Sequence, residues 1–170
     1  GFKTTDHKMG RQLSSITSVP TLLCSTPPAS GKYNTAYDVW LHPSNGNLGN
    51  EPPNGGMELM IWLNRGPSSS SFANAPYPIG SAVDRFQFQG AWWRLYRGSA
   101  SDSGGTWSVT SYMRETNTNS IDVDLKYFFD DAVSRGFMTN SWYLLGVEAG
   151  FEIWEVGQGG RVDAYRVDVN

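Results

Sequence analysis

The longest run of strict alternation, residues 142–154, limits the fold more than any other feature of this chain. Tyr143, Leu145, Val147, Ala149, Phe151 and Ile153 fall on one side of it. Trp142, Leu144, Gly146, Glu148, Gly150, Glu152 and Trp154 fall on the other. A period of two belongs to the β-strand, whose successive side chains point to opposite faces. An apolar strand face has to be covered by another layer, so the chain must build a packed sheet.

The same period recurs along the sequence. In residues 33–41, Tyr33, Thr35, Tyr37, Val39 and Leu41 oppose Asn34, Ala36, Asp38 and Trp40. In residues 57–64, Met57, Leu59, Ile61 and Leu63 oppose Glu58, Met60, Trp62 and Asn64. Strands at 83–88 and 92–97 flank Gln89-Gly90-Ala91, a hairpin signal. Further strands are predicted at 106–114 and 161–169. Residues 43–56 and 67–80 read as loops, as do residues 26–31. Residues 1–32 carry no clean periodicity. At 123–136 the period lengthens: Leu125, Phe128, Phe129, Ala132 and Val133 recur at helical spacing. Asp124 suits the N-cap of that helix, and Gly136 the position just past its end. Many short strands and one helix predict an all-β, antiparallel β-sandwich forming a single domain over residues 1–170.

Composition narrows the function. Lys plus Arg number 13 against 16 Asp plus Glu, a net charge of -3, with no basic run. That excludes a phosphate backbone as the expected partner. No stretch reaches the ~20 apolar residues of a membrane span. Cys24 is the single cysteine, so no internal disulfide is expected, and it is read as a small buried hydrophobe. His7 and His42 lack ligand spacing and are read as loop residues, so no metal or cofactor is expected. Aromatic residues make up 14% and charged residues 17%. Trp and Tyr stack on the apolar faces of sugars, although they also fill sandwich cores.

Two strands share one property. Each carries a Glu and a Trp on the face opposite its apolar face: Glu58 with Trp62, and Glu152 with Trp154. Gly150 beside Glu152 leaves room for a ligand. Two carboxylates facing one another across a groove are what glycoside hydrolysis requires, one to attack or activate water and one to protonate the leaving oxygen. Asp38, on the equivalent face of a third strand, can orient one of them. Ordinary solvent-facing glutamates would produce the same alternation.

The stretch Glu58-Leu59-Met60-Ile61-Trp62 resembles the nucleophile strand of family 12 glycoside hydrolases, retaining endo-β-1,4-glucanases and xyloglucanases with a jelly-roll (concanavalin-like) fold. Gly150-Phe151-Glu152-Ile153-Trp154 is similar to that family's acid/base strand, and Ala36-Tyr37-Asp38 to its aspartate strand. The predicted helix and Trp142-Tyr143-Leu144 also fit, so the match spans about residues 33–170 in order. The resemblance implies Glu58 as nucleophile, Glu152 as general acid/base and Asp38 as the residue holding Glu58. It implies that Met60 and Trp62, with Trp154 as a lesser candidate, line a substrate cleft; Trp92 and Trp93 point to opposite faces of their strand, so at most one of them faces sugar. The implied partner is a β-glucan polysaccharide or oligosaccharide bound by a secreted monomer, with no nucleic acid or membrane involved.

Two departures from the family pattern carry expectations. Glu148 stands where the family usually has Gln, on the same face as Glu152. Its charge is expected to raise the proton affinity of Glu152, so that Glu148→Gln shifts the alkaline limb of the pH–rate profile to lower pH. The chain before Ala36 is also shorter than in the family, with residues 13–21 resembling the strand that precedes the Tyr-Asp strand. Shortened N-terminal strands would expose a sheet edge. The alternatives are a non-catalytic carbohydrate-binding β-sandwich and a xylanase of the related jelly-roll family. The latter is disfavoured by Met60 and Trp62, where those enzymes carry a Tyr-rich strand.

Overall fold

The structure is a computed structural model that describes residues 2–4, 9–47, 52–66 and 75–170. The strands are β1 (Phe2–Thr4), β2 (Arg11–Gln12), β3 (Pro20–Thr26), β4 (Lys32–His42), β5 (Met57–Gly66), β6 (Ser81–Phe88), β7 (Ala91–Asp102), β8 (Gly105–Arg114), β9 (Ser120–Asp124), β10 (Tyr143–Glu155) and β11 (Arg161–Val167). Helix α1 covers Lys126–Ser134. The large sheet runs β1-β10-β4-β5-β8-β7-β6, with β2 also paired to β10, and the small sheet runs β11-β3-β9. The two form an open β-sandwich, as predicted. The pairing is antiparallel except between β5 and β8, which run parallel. Parts of the predicted loops at 43–56 and 67–80, and His7, lie outside the described residues.

Alternation decides which face of each strand enters the core. Tyr37, Val39 and Leu41 of β4, Leu59, Ile61 and Leu63 of β5, and Trp93 and Leu95 of β7 meet Leu23 of β3 and Val123 of β9 between the sheets. Phe128, Phe129 and Ala132 of α1 close the same core. Trp93 is fully buried while Trp92, on the opposite face, is exposed, as the alternation requires. The hairpin at Gln89-Gly90 turns through positive φ at both residues, 48° and 70°, the geometry that matches the twist of paired strands.

Five details differ from the sequence reading. A β-bulge between Leu144 and Gly146 resets the alternation of β10, so that Leu144 rather than Leu145 joins the main core. Ile153, assigned by period to the apolar face, is 52% exposed. The helix is shorter than 123–136: Val123 and Asp124 belong to β9, and the Asp124 carboxylate accepts from the Lys126 amide at 2.9 Å. Its end is as read, with Gly136 at φ 74° and the amides of Gly136 and Phe137 closing on the carbonyls of Val133 and Ala132. Residues 13–21 are not one strand: a 3-10 turn occupies Leu13–Ser15, and β3 starts at Pro20. Cys24 is half-buried, with its Sγ 3.2 Å from Ser120 Oγ, rather than a core residue.

The other face of the large sheet is concave and carries its own apolar cluster: Ala36, Met60, Trp62, Tyr96 and Met113. With both faces covered, β5 is buried along its whole length. Among the described residues no strand pairs with the outer edge of β10 beyond Ala149.

Candidate active site

The concave face assembles the predicted residues from three neighbouring strands, with β4 lying between β10 and β5. Trp40 stands opposite Glu58 on one side and Gly146 on the other. Asp38 lies between Met60 and Glu148, Ala36 between Trp62 and Gly150, and Asn34 between Arg65 and Glu152. The small pair Ala36 and Gly150 leaves the floor open at its centre. There a cavity of about 220 Å³ is lined by Asn34, Ala36, Asp38, Met60, Glu148, Gly150 and Glu152, among others.

Glu58 is 9% exposed and sits at the start of the buried central strand. Its carboxylate accepts a hydrogen bond from Trp107 Nε1 at 2.8 Å. Trp107 is braced edge-on against Trp40, with ring centroids 6.3 Å apart. Burial pushes the Glu58 carboxyl above its ordinary range, the Trp107 bond opposes this, and the negative charges of Glu152 and Glu148 add to the rise. Glu152 keeps an exposed flank on the cleft, yet enough protein surrounds its carboxyl for desolvation to push it up as well. Asn34, fully buried, donates from Nδ2 to Glu152 Oε2 and opposes that rise. The Asn34 Oδ1 in turn accepts from the Glu152 amide at 3.3 Å, fixing the strand and the side chain together.

Burial raises both carboxyls, and the negative charge of Glu152 adds to the rise of Glu58. Glu148 likewise acts on Glu58, whereas its charge was expected to act on Glu152.

Met60 and Trp62 are buried in the cleft floor, and Trp62 Nε1 lies 3.3 Å from Met60 Sδ. Trp154 is 48% exposed and leans on Trp62, with ring centroids 6.3 Å apart, so it forms the accessible aromatic wall. Asn34 and Trp107 were missed as site residues. Asn34 shares the face of Asp38 by simple alternation, which is the signal that could have found it. His42 braces the loop after β4: its Nδ1 lies 2.8 Å from the Ser44 amide and its Nε2 3.1 Å from the Asn54 carbonyl. Among the described residues no group of three or more His, Cys, Asp or Glu could hold a metal ion.

A concave face with two neighbouring carboxyls, each held by one neutral donor beside exposed aromatic surface, can carry out acid/base and nucleophilic work on a sugar chain. Comparison with known proteins agrees with that arrangement. The chain is 34% identical over 163 residues to Endoglucanase S of Pectobacterium parmentieri, covering 93% of this chain and 57% of that protein. It is 32% identical over 146 residues to Xyloglucan-specific endo-beta-1,4-glucanase A of Emericella nidulans, covering 83% and 54%. The chain therefore spans little more than half the length of these relatives. The solved structure of endoglucanase cel12A from Rhodothermus marinus superposes with a TM-score of 0.82 at 36% identity, covering 99% of this chain and 72% of that one. The profile of Glycosyl hydrolase family 12 matches residues 2–170, and the chain belongs to that family.

Proposed function

We propose that the protein is a secreted, retaining, endo-acting hydrolase of β-1,4-linked glucans, with Glu58 as nucleophile, Glu152 as general acid/base and Asp38 positioning Glu58. The observation that carries this reading is the pairing of Glu58 and Glu152 on one concave face, close enough for the charge of one to act on the other. In the first step Glu58 attacks the anomeric carbon. The bond from that carbon to the leaving oxygen breaks, and Glu152 gives its proton to that oxygen. In the second step water attacks the same carbon, Glu152 takes the water proton, and Glu58 leaves as carboxylate. The balance is one water consumed per bond cleaved, with the anomeric configuration retained.

The resting pair must hold one proton, on Glu152. In the empty cleft, burial favours protonation of both groups. A bound glucan would cover the exposed flank of Glu152 and desolvate it further, while Trp107 continues to stabilise the Glu58 anion. Substrate binding therefore moves the proton towards the acid that has to deliver it. Trp154 offers a ring face to a sugar, over a floor of Met60 and Trp62.

The test is release of new reducing ends from carboxymethylcellulose, barley β-glucan and xyloglucan, with proton NMR of the first-formed anomer and Glu58→Gln as control. A β-anomer first, and its loss in the control, is the expected result. An α-anomer first would rule out retention. Binding with no hydrolysis, equally strong in Glu58→Gln, would leave a carbohydrate-binding module.

A further inference from the structure

A row of directly opposed residues crosses the concave face from the catalytic cavity to the far end of the large sheet. It runs Gly150, Ala36, Trp62, Met113, Arg94, Arg85, one from each of β10, β4, β5, β8, β7 and β6. Strands lie about 4.8 Å apart, so Arg94 stands ~14 Å from Ala36. A β-1,4-linked sugar ring advances by roughly one such spacing, which puts Arg94 about three rings along a bound chain. The floor between them is continuous, because Trp62, Met113 and Tyr96 belong to one apolar cluster.

At Arg94 a second cavity opens, of about 180 Å³, lined by Arg65, Tyr77, Arg94, Met113 and Glu115. Tyr77 is 55% exposed. It is held by Tyr96, with ring centroids 6.4 Å apart, and by the Arg65 guanidinium, 4.1 Å from its ring centre. Arg85 donates from Nε and Nη2 to the two Glu115 oxygens, both at 2.9 Å. Arg94 donates from Nε and Nη2 to Glu115 Oε1 at 3.2 and 3.0 Å. Arg85, and less strongly Arg94, hold the Glu115 carboxyl below its ordinary range, so it stays charged. Arg85 is steadied from behind by Trp92, 3.8 Å from its ring centre. Asp84, the next residue along β6, pairs with Arg135 at 2.6 Å.

Two guanidiniums thus share one carboxylate, which leaves the cluster one surplus positive charge. A guanidinium carries five N–H donors in a planar fork that matches a carboxylate. The bonds to Glu115 use only Nε and Nη2 of each arginine, and both side chains are partly exposed. The cluster is therefore rich in donors and fixed in place before any ligand arrives.

We propose that this end of the cleft is a subsite for a carboxylate-bearing sugar, such as a uronic acid or a carboxymethylated glucose, bound by Arg94 against the Tyr77 ring. The inference rests on the reading of the concave face as a glucan cleft.

The test is affinity electrophoresis in gels holding carboxymethylcellulose or neutral hydroxyethylcellulose, with mobility taken relative to a polymer-free gel. Glu58→Gln is present in every protein to preserve the polymer. Adding Arg94→Gln should weaken retention by carboxymethylcellulose about two- to five-fold, the worth of one exposed ion pair, and leave hydroxyethylcellulose retention unchanged. The difference should shrink as salt is raised. Arg166→Gln removes the same charge from β11 in the small sheet and should change neither. No loss in Arg94→Gln, an equal loss on both polymers, or the same loss in Arg166→Gln overturns the subsite. Retention is read without turnover, so the two readings fail separately. Selective loss in Arg94→Gln supports the subsite even if the unaltered protein releases no reducing ends. Hydrolysis by the unaltered protein, with retention unmoved in Arg94→Gln, overturns the subsite alone.

Discussion

Replacing Trp107 by Phe isolates a single hydrogen bond to the proposed nucleophile. The ring that braces Trp40 remains, and only the Nε1–H that reaches Glu58 at 2.8 Å is lost. Glu58 is 9% exposed, so water does not readily replace the donor. A hydrogen bond to a charged group contributes about 1.5–3 kcal/mol. At ~1.4 kcal/mol per factor of ten, the ratio of ionised to protonated Glu58 falls by about 10- to 100-fold. The bond lowers the proton affinity of Glu58, so its loss raises that affinity. Glu58 has to be ionised to attack, and the acidic limb of the profile therefore moves to higher pH. The assay is kcat/KM on a soluble glucan from pH 3 to 9, which reports ionisations of the free enzyme. Circular dichroism would establish that the variant is folded. An acidic limb that stays in place, or moves to lower pH, in a folded variant would refute the reasoning.

Two further predictions concern stability. Burial raises the Glu58 carboxyl in the folded state above its unfolded value of about 4.3, so the folded protein binds the proton more tightly. Stability is then lost as pH rises from about 4.3 through the raised folded value, and Glu58→Gln should melt higher than the unaltered protein at pH 7 but not below about pH 4; a difference independent of pH would contradict this. Phe128 is fully buried against Phe88, Trp93, Tyr112 and Tyr127, with ring centroids 4.9–5.4 Å away. Phe128→Ala should cost about 3–5 kcal/mol, and at 2–4 °C per kcal/mol the melting temperature should fall by about 6–20 °C. A calorimetric loss under 1 kcal/mol would mean that the helix is not integral to the core.

Alternation along β4, β5 and β10 was enough to place Glu58, Glu152, Asp38, Met60, Trp62 and Trp154 on one face, because side-chain direction in a strand depends on parity alone. The same parity separated Trp92 from Trp93, and local turn chemistry marked Gln89-Gly90 and Gly136. Strand β3 was not legible as a strand. Its buried face carries Thr21 and Ser25 beside Leu23, so burial alternates while polarity does not. Those buried groups are satisfied by long-range bonds, Thr21 Oγ1 to the Val123 carbonyl at 2.9 Å and the Ser25 amide to the Asn119 carbonyl at 2.8 Å.

By itself, then, the sequence determined the strand faces and the single helix, both consequences of local geometry, while the roles proposed for Glu58 and Glu152 come from the family resemblance. Only the tertiary structure decided which strands are neighbours: the parallel β5–β8 junction, β4 between the two glutamate strands, and the bulge that returns Leu144 to the core. Those pairings bring Trp107 to Glu58, Asn34 to Glu152 and Glu148 opposite Asp38. Register between strands distant in sequence depends on how both sheets pack at once, and no local pattern encodes it.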